Sequence, residues 1–504
     1  MSQIPFCFTH LNTLVILMFI EGLSAAPVDG TAVVTAGDSA ENFTLTPPPD
    51  DPVDDSIRLG WTDQPDGRGT LDILWSCAFT MTLCSWSILC MNVPAPDESV
   101  IQIYIRKLYL TVLAFLGPEF VFQIALTQWE SACRSVKEFH ECGYTGWTMK
   151  HAFYADMGGF ILQTKDWAPF PVNAKQLHYL VTEGYVDFPK LTKREISEKN
   201  KVDSMLRFIT LCQTLWFIFN TGARSYQNLA ITTIELTTAA FIVCSVATMF
   251  CWAHKPADIE MAEVIEINVT IAQILLEAGD RAQEPYSRTP LDFVDRKEWP
   301  WSLYWSNWVN ILRHMGLDLV QLQRPIVRFE NTAIPEPSRA GYWAFLALTT
   351  VYASIFVCGW NYSFPTRVEQ LLWRIQSLTV VGCLFAFWAI GEIAFEIYPA
   401  LRRRFFPAAD IEAEIKDPDR NRTYKPQTAF QRRMGNIAAG IRNNSIGKDP
   451  GLTAPLKALL PIYVVGFLYC QARAYIFLED VLELRSLPVS AYLTVKWSSM
   501  LPHL

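Results

Sequence analysis

The run Leu229-Ala230-Ile231-Thr232-Thr233-Ile234-Glu235-Leu236-Thr237-Thr238-Ala239-Ala240-Phe241-Ile242-Val243-Cys244-Ser245-Val246-Ala247-Thr248-Met249-Phe250-Cys251-Trp252 decides the fold. Its one charged side chain is Glu235, and its length suffices to cross a membrane. An α-helix rises ~1.5 Å per residue, so about 20 apolar residues traverse a ~30 Å hydrocarbon layer. Working outward, the same test is met by Leu71 to Val93, Leu108 to Gln128, Leu206 to Ala223, Gly341 to Trp360, Leu378 to Ile397 and Leu456 to Leu478. Leu206 to Ala223 is short and carries Arg207 at one end, with Arg224 just past the other. Lipid offers no partner to an open backbone. The expected fold is therefore all-α, a polytopic membrane helical bundle of about seven transmembrane helices plus interfacial amphipathic helices.

Composition agrees. The chain has 504 residues, of which 51% are hydrophobic and 18% charged, with a mean hydropathy of +0.15. Its 42 Lys and Arg against 50 Asp and Glu give a net charge of -8, which excludes the basic footprint of a nucleic-acid binder. The aromatic share of 13% suits anchors at lipid headgroups. Of the 12 cysteines, only Cys133 and Cys142 lie in a polar stretch, and in an oxidising lumen they could form a disulfide. No CxxC or Cys/His cluster suggests a metal, and no cofactor motif is present: GxGxxG, the P-loop, HExxH and GxSxG are all missing. The acidic run at Asp50 to Asp54 is split by a proline. The EF-hand-like start at Asp417 has Arg422 and Thr428 where Gly and Glu are needed.

Residues 1–26 read as a secretory signal peptide, with an apolar core and small residues at Gly22, Ser24, Ala25 and Ala26. Residues 27–60 are acidic, proline-rich and too poor in large apolar groups to fold; Asn42 there heads a lumenal glycosylation sequon. Residues 61–400 form the membrane domain, 401–455 a basic cytoplasmic loop, and 456–504 the last span and tail. The positive-inside rule places Arg402 to Lys457 in the cytoplasm. Counting back puts the Asn361 sequon outside and the stretch around Lys190, Lys193, Arg194, Lys199 and Lys201 inside. Six spans between an external Asn42 and a cytoplasmic Lys416 nevertheless break parity, since each crossing changes sides. Two stretches are candidates for the discrepancy: Thr148 to Gln163, favoured as a re-entrant or partial span, and Trp301 to Leu322. In the latter, Trp301, Trp305, Trp308 and Leu312 share a helical face suited to the interface or to packing on the bundle. Capping boxes start helices at Thr192-Lys193-Arg194-Glu195 and at Thr366-Arg367-Val368-Glu369.

An ionisable group in hydrocarbon costs at least ~2.5 to 3.5 kcal/mol, so each invites an explanation. Glu119 follows Pro118 in the second span, beside a kink. Glu235 lies about two turns into the fourth span, and Glu392 and Glu396 share a face in the sixth. Arg473 sits late in the seventh. These five could line a polar intramembrane cavity as proton or cation sites, or form inter-helix hydrogen bonds that only fix packing. A loop site is suggested by His151 and Asp156 as base and orienter, or as plain loop contacts. His254, Lys255 and Asp258, after Trp252, end the fourth span as a stop signal or bind a headgroup or phosphate.

Several stretches also resemble a large family of uncharacterised multi-pass membrane proteins of filamentous fungi: Gly67-Arg68-Gly69-Thr70, Ile73-Leu74-Trp75-Ser76-Cys77, Asn92-Val93-Pro94, His151 through Phe160, Ile234-Glu235-Leu236, Trp252 to Asp258, Leu484-Arg485-Ser486-Leu487-Pro488 and Trp497 to Leu504. The resemblance implies a shared fold, a fungal source and a chain that ends at Leu504. It implies no activity. The expectation is an integral membrane protein of the secretory pathway, in the endoplasmic reticulum or plasma membrane. Its partners are the lipid bilayer and a small-molecule or lipid ligand. Three classes stay open: a transporter- or receptor-like protein, a membrane-embedded enzyme acting on a lipid or isoprenoid-like metabolite, and a membrane scaffold.

Overall fold

A computed structural model describes residues 55, 57–63, 67–199, 204–257, 259–283, 286, 288–295, 310, 324–332, 334–393, 397, 401, 429–444 and 456–497. Residues 1–54, the Trp301 to Leu312 stripe, Glu396, Asp258 and most of 402–455 lie outside them. The described elements run β1 (Arg58–Leu59), α1 (Thr70–Trp86), α2 (Val100–Leu116), α3 (Pro118–Glu141), α4 (Met149–Asp156), β2 (Phe160–Gln163), β3 (Phe170–Val172), α5 (Ala174–Thr182), α6 (Lys193–Glu198), α7 (Ser204–Tyr226), α8 (Thr233–Cys251), β4 (Glu263–Glu266), α9 (Ile271–Ala278), α10 (Arg339–Cys358), α11 (Arg367–Glu392), α12 (Ala429–Arg442), α13 (Leu456–Leu482) and β5 (Leu487–Pro488), with short 3-10 turns between.

The chain is mostly helical. Among the described residues four helices are long and apolar enough to cross a membrane: 233–251, 339–361, 367–392 and 459–485. Helix starts follow local chemistry. Side-chain oxygens of Ser99, Thr192, Thr232 and Thr366 accept the N3 backbone N–H of α2, α6, α8 and α11, satisfying donors that a helix N-terminus leaves open.

The long helices share two ends. At the first, which we call the hook, β1 pairs antiparallel with β5 and Tyr492 Oη donates to the Gly60 carbonyl at 2.8 Å. Thr233, at the start of α8, meets Glu483, at the end of α13. Arg485 pairs with Glu369 near the start of α11. At the opposite end Trp252, after α8, donates to Gln128, and Tyr342, at the start of α10, donates to Glu392 at the end of α11. Helices α1, α7, α8, α10, α11 and α13 each connect one end to the other. Along α7, for example, Arg207 reaches the Lys255 carbonyl and Arg224 reaches Ser490 and Leu493.

Two expectations need correction. Leu108 to Gln128 is not one continuous helix: α2 and α3 meet at a 113° bend. Gly117 ends α2 and Pro118 opens α3 at its first position, where a missing N–H costs nothing and the fixed φ favours a start. A Cβ on Gly117 would lie 2.5 Å from the Phe120 ring, so the tip admits only glycine without rearrangement. Both limbs point back to the same end. Lys107 of α2 lies over Trp86, at the far end of α1, Phe115 packs on Phe241 in mid-bundle, and α3 has descended to Trp252 by Gln128.

Thr148 to Gln163 is the second correction. It forms α4 and then the central strand of a three-stranded sheet of order β3-β2-β4, in which β2 runs antiparallel to β3 and parallel to β4. The sheet lies at the end opposite the hook, and Val93 N donates to the Met157 carbonyl at 3.0 Å across that junction. The fold is therefore not purely helical.

Candidate functional site

Helix α13 presents Tyr469, Arg473, Ile476 and Asp480 at spacings of three and four, a single helical face, which Glu483 continues in the 3-10 turn that follows. All are buried. This face runs antiparallel along α8, so Glu483 meets Thr233, Asp480 lies near Thr237, and Arg473 lies beside Phe241. The tip between α2 and α3 closes the column in mid-bundle. Tyr469 Oη donates to Glu119 Oε1, and Arg473 Nε donates to the Leu116 carbonyl at 3.3 Å, one of the carbonyls that the Gly117–Pro118 break frees.

The Arg473 guanidinium sits in an aromatic box, 4.7 Å from the centre of the Phe477 ring, 4.9 Å from Phe356 and 5.7 Å from Tyr352. Cation–π attraction compensates part of the lost hydration. Among the described residues its Nη1 and Nη2, Glu119 Oε2, Tyr352 Oη and the two Asp480 carboxyl oxygens make no hydrogen bond of ordinary geometry, although Tyr352 stands close to Glu119 and to Tyr469, and Thr233 and Thr237 stand close to Asp480. Such capacity is uncommon where burial ordinarily demands pairing. Beside the tip, Ser85, Ala114, Pro118, Ser245 and Thr248 help line a cavity of about 10 Å³, room for about one water.

Glu235 belongs elsewhere. Helix α8 begins only at Thr233, so Glu235 falls in its first turn and not two turns in. There it accepts from Thr232 N and Oγ1, both at 3.0 Å, and from Arg68 Nη2 at 2.5 Å. Arg224 Nε stands 3.9 Å away, beyond hydrogen-bond reach, while its Nη1 and Nη2 donate to the carbonyls of Ala230, Ser490, Ala491 and Leu493 at 2.7 to 3.1 Å. This cluster pins the hook. Glu392 is exposed and bonded to Tyr342, ten residues before Tyr352 on α10, or ~15 Å along the axis at ~1.5 Å per residue. It does not join Glu119.

The loop candidates are occupied structurally. His151 Nδ1 lies 2.7 Å from Thr148 Oγ1 and its Nε2 lies 2.8 Å from the Leu191 carbonyl; burial holds the imidazole below its usual pKa. Asp156 accepts from Ala174 N at 3.0 Å and Ser131 Oγ at 3.1 Å, joining α3, α4 and α5. Burial pushes its carboxyl up to about 6. The two residues do not act on each other.

Lys255 is buried and donates to Gln128 Oε1 at 2.9 Å over the Trp252 ring, which leaves no headgroup contact. Desolvation takes its ammonium down to about 8. His254 is exposed. Cys133 and Cys142 are free thiols, the latter 3.5 Å from His178 Nε2. Asn361 is exposed at the hook end. Among the described residues no group of His, Cys, Asp and Glu could hold a metal.

Sequence reasoning missed Tyr352, Tyr469, Asp480 and Glu483. The available signal was the seven-residue step from Arg473 to Asp480 and the three-residue step to Glu483, which continue one face.

Fold and site together define a helical protein with apolar helices of membrane-crossing length and a buried charged column. Over residues 40–278 the chain is similar to a family of unknown function, DUF8562. That stretch includes Glu119, Arg224 and Glu235, whereas Tyr352, Arg473 and Asp480 lie beyond it. No curated protein and no solved structure matches the chain.

Proposed function

We propose that the chain is a multi-pass integral membrane protein of the transporter class, in which Glu119, Arg473 and Asp480 form a buried relay that takes up and releases protons. One observation carries this reading: spare polar capacity on Arg473, Glu119, Tyr352 and Asp480, all buried on one column. A carboxyl with an unused oxygen can exchange a proton without dismantling its neighbours. Arg473, near both acids, offsets whichever is ionised.

The membrane placement is supported by outward faces of large apolar groups, such as Trp75, Leu108, Phe208, Trp216, Ile375 and Phe467, all exposed. Water would penalise such patches and lipid would not. In this reading α1, α7, α8, α10, α11 and α13 cross, while α2 and α3 form a re-entrant hairpin whose tip reaches mid-bundle. That arrangement restores parity. Between Asn42 and Lys416 the chain then crosses through α1, α7, α8, α10 and α11, an odd number, leaving Asn42 and Asn361 outside and the basic loop in the cytoplasm as the positive-inside rule asks. The same arrangement suits a membrane of the secretory pathway, entered through the N-terminal signal.

The test is flux. Purified protein in liposomes enclosing a pH-sensitive dye should pass protons under a valinomycin-clamped potential, and Glu119→Gln or Asp480→Asn should reduce the rate at least about tenfold while both variants remain folded. Wild-type protein that reconstitutes yet passes no protons would refute the relay. Glycan mapping tests topology separately: modification at Asn42 and Asn361 is expected, and modification of a sequon introduced near Thr145 would overturn the re-entrant hairpin.

A further inference from the structure

Helix α12, Ala429–Arg442, lies in the connection that leaves the sheet end of α11 and returns to α13, which it touches. Successive helical residues advance ~100°, so Phe430, Met434, Ile437 and Ile441 fall within an arc of about 60°. All four are exposed, at 72%, 49%, 48% and 36%. Arg433 and Arg442 are exposed too, one on each flank of the stripe at this periodicity. The helix is ~21 Å long at ~1.5 Å per residue, too short to cross a ~30 Å hydrocarbon core. With Gly435 and Gly440 within it, each ~1 kcal/mol worse than alanine, it is a poor helix on its own in water. Something apolar and planar must therefore cover its stripe.

From this geometry we infer that α12 is an in-plane anchor that lays Phe430, Met434, Ile437 and Ile441 into the cytoplasmic leaflet, where Arg433 and Arg442 engage anionic phospholipid headgroups. Charge complementarity selects the occupant: residues 402–457 carry 12 Lys and Arg against 6 Asp and Glu, a net +6 in a chain whose whole net charge is -8. A negative leaflet attracts such a segment, and a neutral one does not. Contact with α13 holds the helix beside the bundle. The inference rests on the membrane placement proposed above and is independent of proton transfer.

Amide hydrogen exchange of the full chain in nanodiscs tests it. With phosphatidylcholine alone, residues 430–442 should exchange freely; with about one third phosphatidylserine they should exchange at least about tenfold more slowly, and high salt should reverse most of the gain. Arg433→Gln with Arg442→Gln should lose the serine-lipid effect. Ile437→Glu should lose the protection gained with phosphatidylserine, and because that change could melt the helix, Gly435→Ala with Gly440→Ala serves as the control: it strengthens the helix yet should leave the lipid dependence in place. Equal exchange in both bilayers overturns the anchor while leaving the membrane reading intact, and failure of the chain to enter nanodiscs overturns both.

Discussion

Glu119 and Glu235 are both buried glutamates beside apolar helices of one bundle, and they are held in opposite ways. Glu235 receives a capping threonine, Arg68 and the nearby Arg224, and every one of these contacts ties hook segments together. Glu119 receives one tyrosine and keeps a carboxyl oxygen in reserve, with half-used Arg473 beside it. Burial and residue type are equal, and Arg68 Nη1 and Arg224 Nε beside Glu235 are as unpartnered as Arg473 Nη1 and Nη2 beside Glu119, so the difference lies on the acceptor side, in the carboxylate oxygens that Glu235 has filled and Glu119 has not. The same contrast explains why His151 and Asp156 fail as a site: their polar atoms already hold α3, α4 and α5 in place.

Variants can break or sharpen this contrast. The largest loss is expected from Arg224→Met, which leaves Glu235 short of a cation and several carbonyls bare. Breaking a buried pair from one side costs about 3–5 kcal/mol, visible as a fall in the unfolding midpoint in detergent, and a loss below about 1 kcal/mol would mean that the hook is no lock.

Lys255 comes next. Its native pKa of about 8 lies below the ~10.4 of an unfolded lysine, so the native state resists protonation. Stability is then highest at alkaline pH and declines as pH falls through 8. Between pH 9.5 and 7.5 wild type should lose about 2 kcal/mol relative to Lys255→Met, measured by paired unfolding curves.

Asp156 gives a smaller effect of opposite sense. Its carboxyl, raised to about 6, contributes stability that is complete below the unfolded value near ~3.9 and is lost as pH rises through 6. Exchange protection of β2 and α5 should therefore weaken from pH 4.5 to 7, after correction for intrinsic rates, and Asp156→Asn should flatten the trend. The smallest stability change is expected for Glu119→Gln, about 1 kcal/mol, because Tyr469 can still donate to the amide oxygen. A loss as large as that of Arg224→Met would move Glu119 into the locking class.

Much of the helical part is legible in the sequence. Runs such as Leu229–Trp252 announce themselves through length and hydropathy, and Thr192 and Thr366 mark helix starts through the acceptor they offer. The break at Gly117 reads as a kink because the apolar pattern continues across it; only contacts of α2 and α3 with Trp86 and Trp252 reveal that the chain turns back. The sheet escapes because its strands are four residues or fewer, shorter than any periodicity can register, and because β2 pairs with β4 from about a hundred residues away. Glu119 and Arg473 were identified as site candidates and do converge. Tyr352 and Tyr469 were not, since a tyrosine on an apolar helix looks like an interfacial anchor until its neighbours are known.

The pairing of β1 with β5 has a consequence for biogenesis. Arg58 and Leu59 must wait for Leu487 and Pro488, and Arg224 must wait for the carbonyls of Ser490, Ala491 and Leu493. At about 5–20 residues per second, the 504-residue chain takes about 25 to 100 s to synthesise. Between synthesis of Arg224 and of Ser490, about 13 to 53 s at that rate, Arg224 lacks the carbonyls of Ser490, Ala491 and Leu493. Completion of the hook thus reports that synthesis has passed Leu493, and a polypeptide truncated before Ser490 leaves the Arg224 guanidinium without three of its four carbonyl acceptors.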